Sequence, residues 1–224
     1  MNDKGVANYT QQQAFLANFV QSKQEPNILL FQAESGFGKS TLIGHCFYQL
    51  PKAQALHHKL KGEADSVATF FTNLGTRYGW QNLPTFTGTL ATLLEQPAKA
   101  SDPLWQAGIH RHLRLVGKLR DLQSRLSRYQ LKSDAWFADM QQEKPFLLAV
   151  DGNEKASPLF DLWFSEDFLL GVAHSQAIKV IVGGQTMPTR QEGWSFSVVR
   201  EKLTGVNEVQ AWLAWGTQAG YQLP

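Results

Sequence analysis

The sequence holds a single cysteine, Cys46, in 224 residues, which excludes an internal disulfide and fits a reducing compartment. It lacks any run near the roughly 20 apolar residues that a membrane-crossing helix needs. Its first residues, MNDKGVANYTQQQ, have no apolar centre of the kind a secretory leader carries. Charge of one sign is also scarce: 21 Lys and Arg face 19 Asp and Glu, a formal net charge of +2, so no global field draws the chain to nucleic acid. Internal repeats, low-complexity tracts and Ser/Gly linkers are absent. A 43% apolar and 18% charged composition excludes collagen-like, coiled-coil-only and wholly disordered chains. What remains is one soluble cytoplasmic domain over residues 1–224, long enough to bury an ordinary core.

What is present is an ordered alternation of patterns. Tyr9, Phe15, Leu16, Phe19 and Val20 recur at helical spacing, opposite a Gln-rich face. Glu25-Pro26-Asn27 closes that helix. Ile28-Leu29-Leu30-Phe31 is a short continuous apolar run, as expected of a strand buried on both sides in a parallel sheet. Further such runs are Phe146 to Val150 and Ile178 to Val182, with additional strands expected over Gln54–Leu60 and Phe196–Val199. Helices are expected over Lys39–Leu50, Val67–Tyr78 and Val206–Ala219, and a mainly helical crossover over about 90–143. Within it, Ser101-Asp102-Pro103 carries a helix start, a polar cap before Pro at the first position. Strands separated by helical crossovers imply an α/β fold around a parallel sheet.

The chemistry concentrates in Ala33-Glu34-Ser35-Gly36-Phe37-Gly38-Lys39-Ser40, between a strand pattern and a helix pattern. This is the phosphate-loop arrangement with Ala33 in place of the usual first glycine, a position that needs only to be small. Gly36 and Gly38 let the backbone curl so that N–H groups converge on a phosphate. The helix opening at Lys39 adds its positive end. Lys39 would bridge the β- and γ-phosphates, and Ser40 would hold Mg²⁺ through its hydroxyl. Glu34, Ser35 and Phe37 complete the cradle.

Such a site also needs a carboxylate at the end of a second central strand to orient hydrated Mg²⁺. Asp151, directly after Phe146–Val150, occupies that place, against the plainer reading of an Asp-Gly turn ending a strand. Glu154 is the candidate to polarise an attacking water, or else a solvated loop carboxylate. The helix before the first strand, and the long separation of Lys39 from Asp151, favour an ATPase layout with an additional strand between the P-loop strand and the acidic one. A small-molecule kinase is a weaker alternative, because no lid with clustered arginines is evident.

The strings LLFQAESGFGKSTLI, FLLAVDGNE, IKVIVGGQTMP and REKLTGVNEVQAWL, in that order, resemble the nucleotide-binding core of the signal-transduction ATPases with numerous domains, relatives of NACHT and apoptotic ATPases in bacterial signalling and defence. The resemblance implies a three-layer P-loop NTPase sandwich, ATP and Mg²⁺ as ligands, and slow hydrolysis driving a switch or self-association. It carries phosphate roles onto Gly36, Gly38, Lys39, Ser40 and Thr41, and the magnesium role onto Asp151. Two places depart from the family. Asn153 precedes a single Glu154 where paired acids are common, and Gln185 or Thr186, with Arg190 nearby, stands where a sensor arginine ends the next strand. Binding without turnover is therefore an alternative. Members of the family continue into a winged-helix segment, a repeat sensor or an effector, so action through a protein partner, or within a longer chain, is expected.

Other features have plainer readings. Leu115, Leu119, Leu122, Leu126 and Tyr129 form an apolar seam at helical spacing, beside Arg111, Arg114, Lys118, Arg120, Arg125, Arg128 and Lys132. A helix covering the sheet, with a solvated basic face, is favoured over a partner-binding seam, and both over nucleic-acid binding. His57, His58, His110 and His112 lack Cys or carboxylate partners at ligand spacing, which argues against a metal centre. Cys46 reads as a core residue. Trp212 and Trp215 belong either to the core or to a docking surface.

Overall fold

Three apolar runs dictate the centre of the molecule. The computed structural model describes residues 9–22, 25–48, 50, 55–62, 67–141, 146–189, 192–204, 213 and 216–217. Strands β1 (Ile28–Gln32), β3 (Phe146–Asp151) and β4 (Ile178–Gly184) are buried along almost their whole length, as continuous apolar strands must be when both sheet faces are covered. With β2 (Ala55–Lys59) and β5 (Val198–Lys202) they form one parallel sheet in the order β2-β3-β4-β1-β5. Strand β4 lies between the P-loop strand and the acidic strand, which is the additional-strand layout expected from the sequence.

Alternation along the strands sorts their side chains into two cores. Leu29, Phe31, Leu147, Ala149 and Ile181 meet α1 (Thr10–Gln21) and α2 (Lys39–Tyr48) on one face, through Leu16, Phe19, Leu42 and Ile43. Ile28, Leu30, Leu148, Val150, Val180 and Val182 face the opposite way. They meet a helical layer of α3 (Val67–Tyr78), α4 (Pro84–Leu94), α5 (Pro103–Gly117), α6 (Leu122–Met140), α7 (Pro158–Trp163) and α8 (Leu169–Ala173). The result is a three-layer sandwich. Among the described residues no helix is long and apolar enough to cross a membrane.

Local chemistry explains the helix boundaries. The Asp102 carboxylate accepts from Leu104 N at 2.9 Å, capping α5 as its sequence signal implies. Helix α4, which opens on Pro84, is capped from outside: Asp139 on α6 accepts from Thr85 N and Phe86 N, both at 2.8 Å. That contact ties the helix layer together at a positive helix end.

Three expectations need correction. The leucine seam is not one helix, because α5 stops at Gly117 and Asp121 accepts from Ser124 N to start α6. Leu115 and Leu122 are exposed while Tyr129 is buried, so the repeat crosses a break and forms no continuous stripe. Lys132 is not on a solvated basic face either. It is fully buried, its ammonium donates to Arg128 O at 2.8 Å, and burial, aided by Arg128, lowers it to about 8. The last strand begins at Val198. Residues Glu192–Ser197 form a 3₁₀ turn instead, pinned where Trp194 Nε1 donates to Ser165 O at 2.7 Å and Asn27 N donates to Ser197 Oγ at 3.0 Å. The expected helix Val206–Ala219, with Trp212 and Trp215, falls largely outside the described residues, as do Arg190 and the side chain of Cys46.

Between α7 and α8 the helix widens into a π-helical segment, Phe164–Phe168. There Asp167 is raised to about 6, first by burial and then by the neighbouring carboxylates of Glu166 and Asp134. A raised folded-state value means that folding is favoured while the group is protonated. Its stabilisation is lost as pH climbs from near 4 to above 6. Asp167→Asn is therefore expected to raise the melting temperature at pH 7.5 and leave it unchanged at pH 4, checked by melting curves at both.

Candidate nucleotide site

Strand β1 delivers the chain to the sheet's carboxyl edge, where open α/β sheets hold their ligands. Ala33 is buried, and its N–H donates to Gly184 O at 3.1 Å, so a small residue suffices where the motif usually has glycine. The loop then curls at Gly36 (φ +86°) and Gly38 (φ +77°), backbone conformations that side chains oppose. Helix α2 starts at Lys39. Glu34, Ser35, Gly36 and Thr41 are exposed, whereas Phe37, Gly38 and Ser40 are half-buried. A contact from outside the motif steadies this loop: the Tyr9 hydroxyl donates to Phe37 O at 2.8 Å. Sequence reading placed Tyr9 on a helix face but missed this role, because the contact spans 28 positions.

The Lys39 stem and the Asp151 carboxylate both border Gly183. A side-chain carbon at Gly183 would lie 3.6 Å from Lys39 Cγ, 3.3 Å from Asp151 Oδ1 and 2.6 Å from the Ile43 tip. A side chain here would press on both the lysine stem and the carboxylate, so glycine keeps the space between them open. Lys39 is only 8% exposed. Asp151 is fully buried, and neither of its oxygens has a hydrogen-bond partner among the described residues. Burial pushes its carboxyl up, but His57, Ser40 and Lys59 around it outweigh that and hold it below the ordinary carboxylate range.

An unpartnered buried carboxylate beside a serine hydroxyl suits a hard, oxygen-seeking cation. The fit to Mg²⁺ is therefore good: Ser40 and Asp151 would hold it, with phosphate and water completing its shell. Among the described residues there is no cluster of three or more His, Cys, Asp or Glu able to bind a metal by itself. His58 and His110 are accounted for by Asn73 and Thr72, at 3.1 and 3.0 Å.

The remaining candidates lie at the neighbouring strand ends. Glu154 Oε2 accepts from Gln185 N at 2.9 Å, and Gln32 Nε2 donates to Gln185 O at 2.9 Å. Asn153 Nδ2 donates to Thr186 O at 3.2 Å. Gln185 thus joins the P-loop strand to the loop after β3 by its backbone, while its side chain faces solvent. Glu154 is engaged by a peptide N–H instead of standing free.

These features define a P-loop NTPase-like α/β sandwich. Neither family models nor curated proteins match the sequence. Among solved structures the chain is similar to C. elegans PCH-2, with a TM-score of 0.40 and 6% identity, over 86% of this chain and 41% of that one. The chain thus spans less than half of that protein's length.

Proposed function

We propose that this protein is a Mg-ATP-binding switch module, acting in signalling or defence through a protein partner or self-assembly. The observation that carries the reading is the placing of the Lys39 stem and the Asp151 carboxylate, without a hydrogen-bond partner among the described residues, on either side of Gly183, beside a loop turned by two left-handed glycines. The loop N–H groups and the start of α2 would hold the β-phosphate, and Lys39 would neutralise the β- and γ-oxygens. When bound, Mg²⁺ supplies further neutralisation of the phosphates. Kinship with the signal-transduction ATPases rests on the order of the motifs. The exposed side of α5, where Ala107, His110, Arg111, Arg114, Leu115 and Lys118 line a cavity of about 380 Å³, offers a partner surface. Titration of Mg-ATP into the protein and into Lys39→Ala tests the reading. Tight binding to the first and not the second is expected; equal binding, or none to either, overturns it.

A second reading, nucleotide binding without turnover, is favoured by the engagement of Glu154 with Gln185 N. For hydrolysis, Glu154 would have to leave that contact to polarise water. The two readings separate with Glu154→Gln, which can keep the hydrogen bond through its amide oxygen but cannot accept a proton. If the protein is a slow ATPase, phosphate release should fall at least a hundredfold at unchanged ATP affinity. The scaffold reading expects no release from either protein.

A further inference from the structure

Strand β2 is an edge strand, and alternation sends its two adjacent histidines to opposite faces. His58 enters the helical-layer core, beside the Phe70 ring at 5.3 Å and Asn73. His57 goes to the α2 face, with its ring 5.7 Å from Phe47. Register pairs Lys59 with Asp151 and His57 with Ala149, which makes His57 and Asp151 diagonal neighbours on one face.

The polar atoms there do not satisfy one another. His57 Nε2 is enclosed and stands 3.7 Å from Asp151 Oδ2, and among the described residues neither atom has a hydrogen-bond partner. That distance is too long for a hydrogen bond. Buried polar atoms left open in this way are costly, and a pair of them facing each other indicates something polar that belongs between them in the loaded site. A water oxygen admitted with the ion would reach both, since two hydrogen bonds of about 2.8 Å bridge a separation of this size. A water bound to a divalent cation is a strong proton donor, and both a carboxylate oxygen and a neutral imidazole nitrogen accept. If only packing were required against Phe47, an apolar ring would serve better than one with a stranded nitrogen.

We propose that His57 is a positioning residue of the Mg²⁺ site, gripping through Nε2 a water of the hydrated ion that Asp151 also holds. This rests on the Mg-nucleotide reading of the site. It adds a member that comes from the edge strand and from neither of the two motifs. The role is indirect: His57 touches neither phosphate nor metal, and acts by fixing where the hydrated ion sits relative to Asp151. Outer-shell partners of this kind typically govern metal affinity by about 10–100-fold.

The test compares ADP affinity in Mg²⁺ and in EDTA, by calorimetry, for three proteins. Wild type is expected to bind ADP more tightly with Mg²⁺. His57→Phe keeps a ring against Phe47 but has no nitrogen, and should lose about tenfold of the Mg²⁺-dependent gain. Its affinity in EDTA and its melting temperature without ligand should be those of wild type. His57→Gln, whose amide oxygen can stand near the position of Nε2, should recover most of the gain. The proposal is overturned if His57→Phe keeps the full Mg²⁺ gain. It is equally overturned if affinity falls alike in Mg²⁺ and EDTA, because that marks a packing role. Wild type that binds ADP in neither condition removes the nucleotide site and this role with it; wild type that binds equally in both removes the Mg²⁺ role alone.

Discussion

Replacing Lys39 with methionine should weaken Mg-ATP binding by at least a hundredfold without destabilising the unliganded protein. The two halves of that result have separate causes. Hydrogen bonds to charged groups contribute about 1.5–3 kcal/mol each, and in the proposed site Lys39 would make two with phosphate oxygens. Losing both costs about 3–6 kcal/mol, where each 1.4 kcal/mol is tenfold in affinity. Methionine retains the apolar stem, whose Cγ packs near Gly183, so the loss reports on charge and not on volume. In the unliganded protein Lys39 is 8% exposed. No ion pair holds it among the described residues. An enclosed, unpaired charge is a burden on the fold; its removal should leave the melting temperature unchanged or raise it. Nucleotide at a hundredfold over its Kd adds about 2.7 kcal/mol to stability. For a domain of this size that is a rise of roughly 5–10 °C, expected in wild type and absent in Lys39→Met. A melting shift of equal size in both proteins would mean that phosphate is held elsewhere.

Where the sequence was legible, one-dimensional pattern and three-dimensional burial coincide. Strands β1, β3 and β4 are continuous apolar runs because they are covered on both faces. Asp102 and Pro103 announce α5 because capping is decided within a few residues. The same locality makes the loop from Ala33 to Ser40 readable. Legibility fails where an element is half-solvated or where its partner is remote. The edge strand β5 reads Val-Val-Arg-Glu-Lys and has no fully buried residue, so its pattern resembles a loop and its start was placed two residues early. Leucines continue at helical spacing across the break between α5 and α6 and mask the cap at Asp121, which works through the backbone N–H of Ser124. His57 sits 94 positions from Asp151 (151 minus 57). No periodicity links them; only the register of β2 on β3 does.

The largest loss of stability is expected on the other side of the sheet, from Phe70→Ala. Phe70 is fully buried, and its ring centroid lies 5.1–5.9 Å from those of Phe168, His58, Trp163, Phe71 and Phe160. Deleting a buried phenyl group costs about 3–5 kcal/mol, through lost transfer energy and the cavity left behind. The rings around this one belong to β2, α3, α7 and the π-helical segment, which must keep their places for the sheet to stay covered, so collapse into the void is restricted and the upper end of that range applies. Against a total of about 5–15 kcal/mol for a domain, one substitution removes a third or more, and melting should fall by on the order of 10 °C. Phe70→Leu, which refills most of the space, should cost less than half as much. Phe70 belongs to the core on the helical-layer face, whereas Ala33, Leu42 and Ile43 around the phosphate loop belong to the other. Folded Phe70→Ala should accordingly bind Mg-ATP within about threefold of wild type at low temperature, a change under 1 kcal/mol. Lys39→Met and Phe70→Ala then form opposite halves of one comparison, one losing ligand at full stability and the other losing stability at near-normal affinity. A melting temperature that falls by only a degree or two in Phe70→Ala would show that the aromatic layer does not hold this face of the sheet. Loss of affinity in the folded variant would show that the two faces are coupled through β3, whose Val150 and Asp151 serve the core and the site in turn.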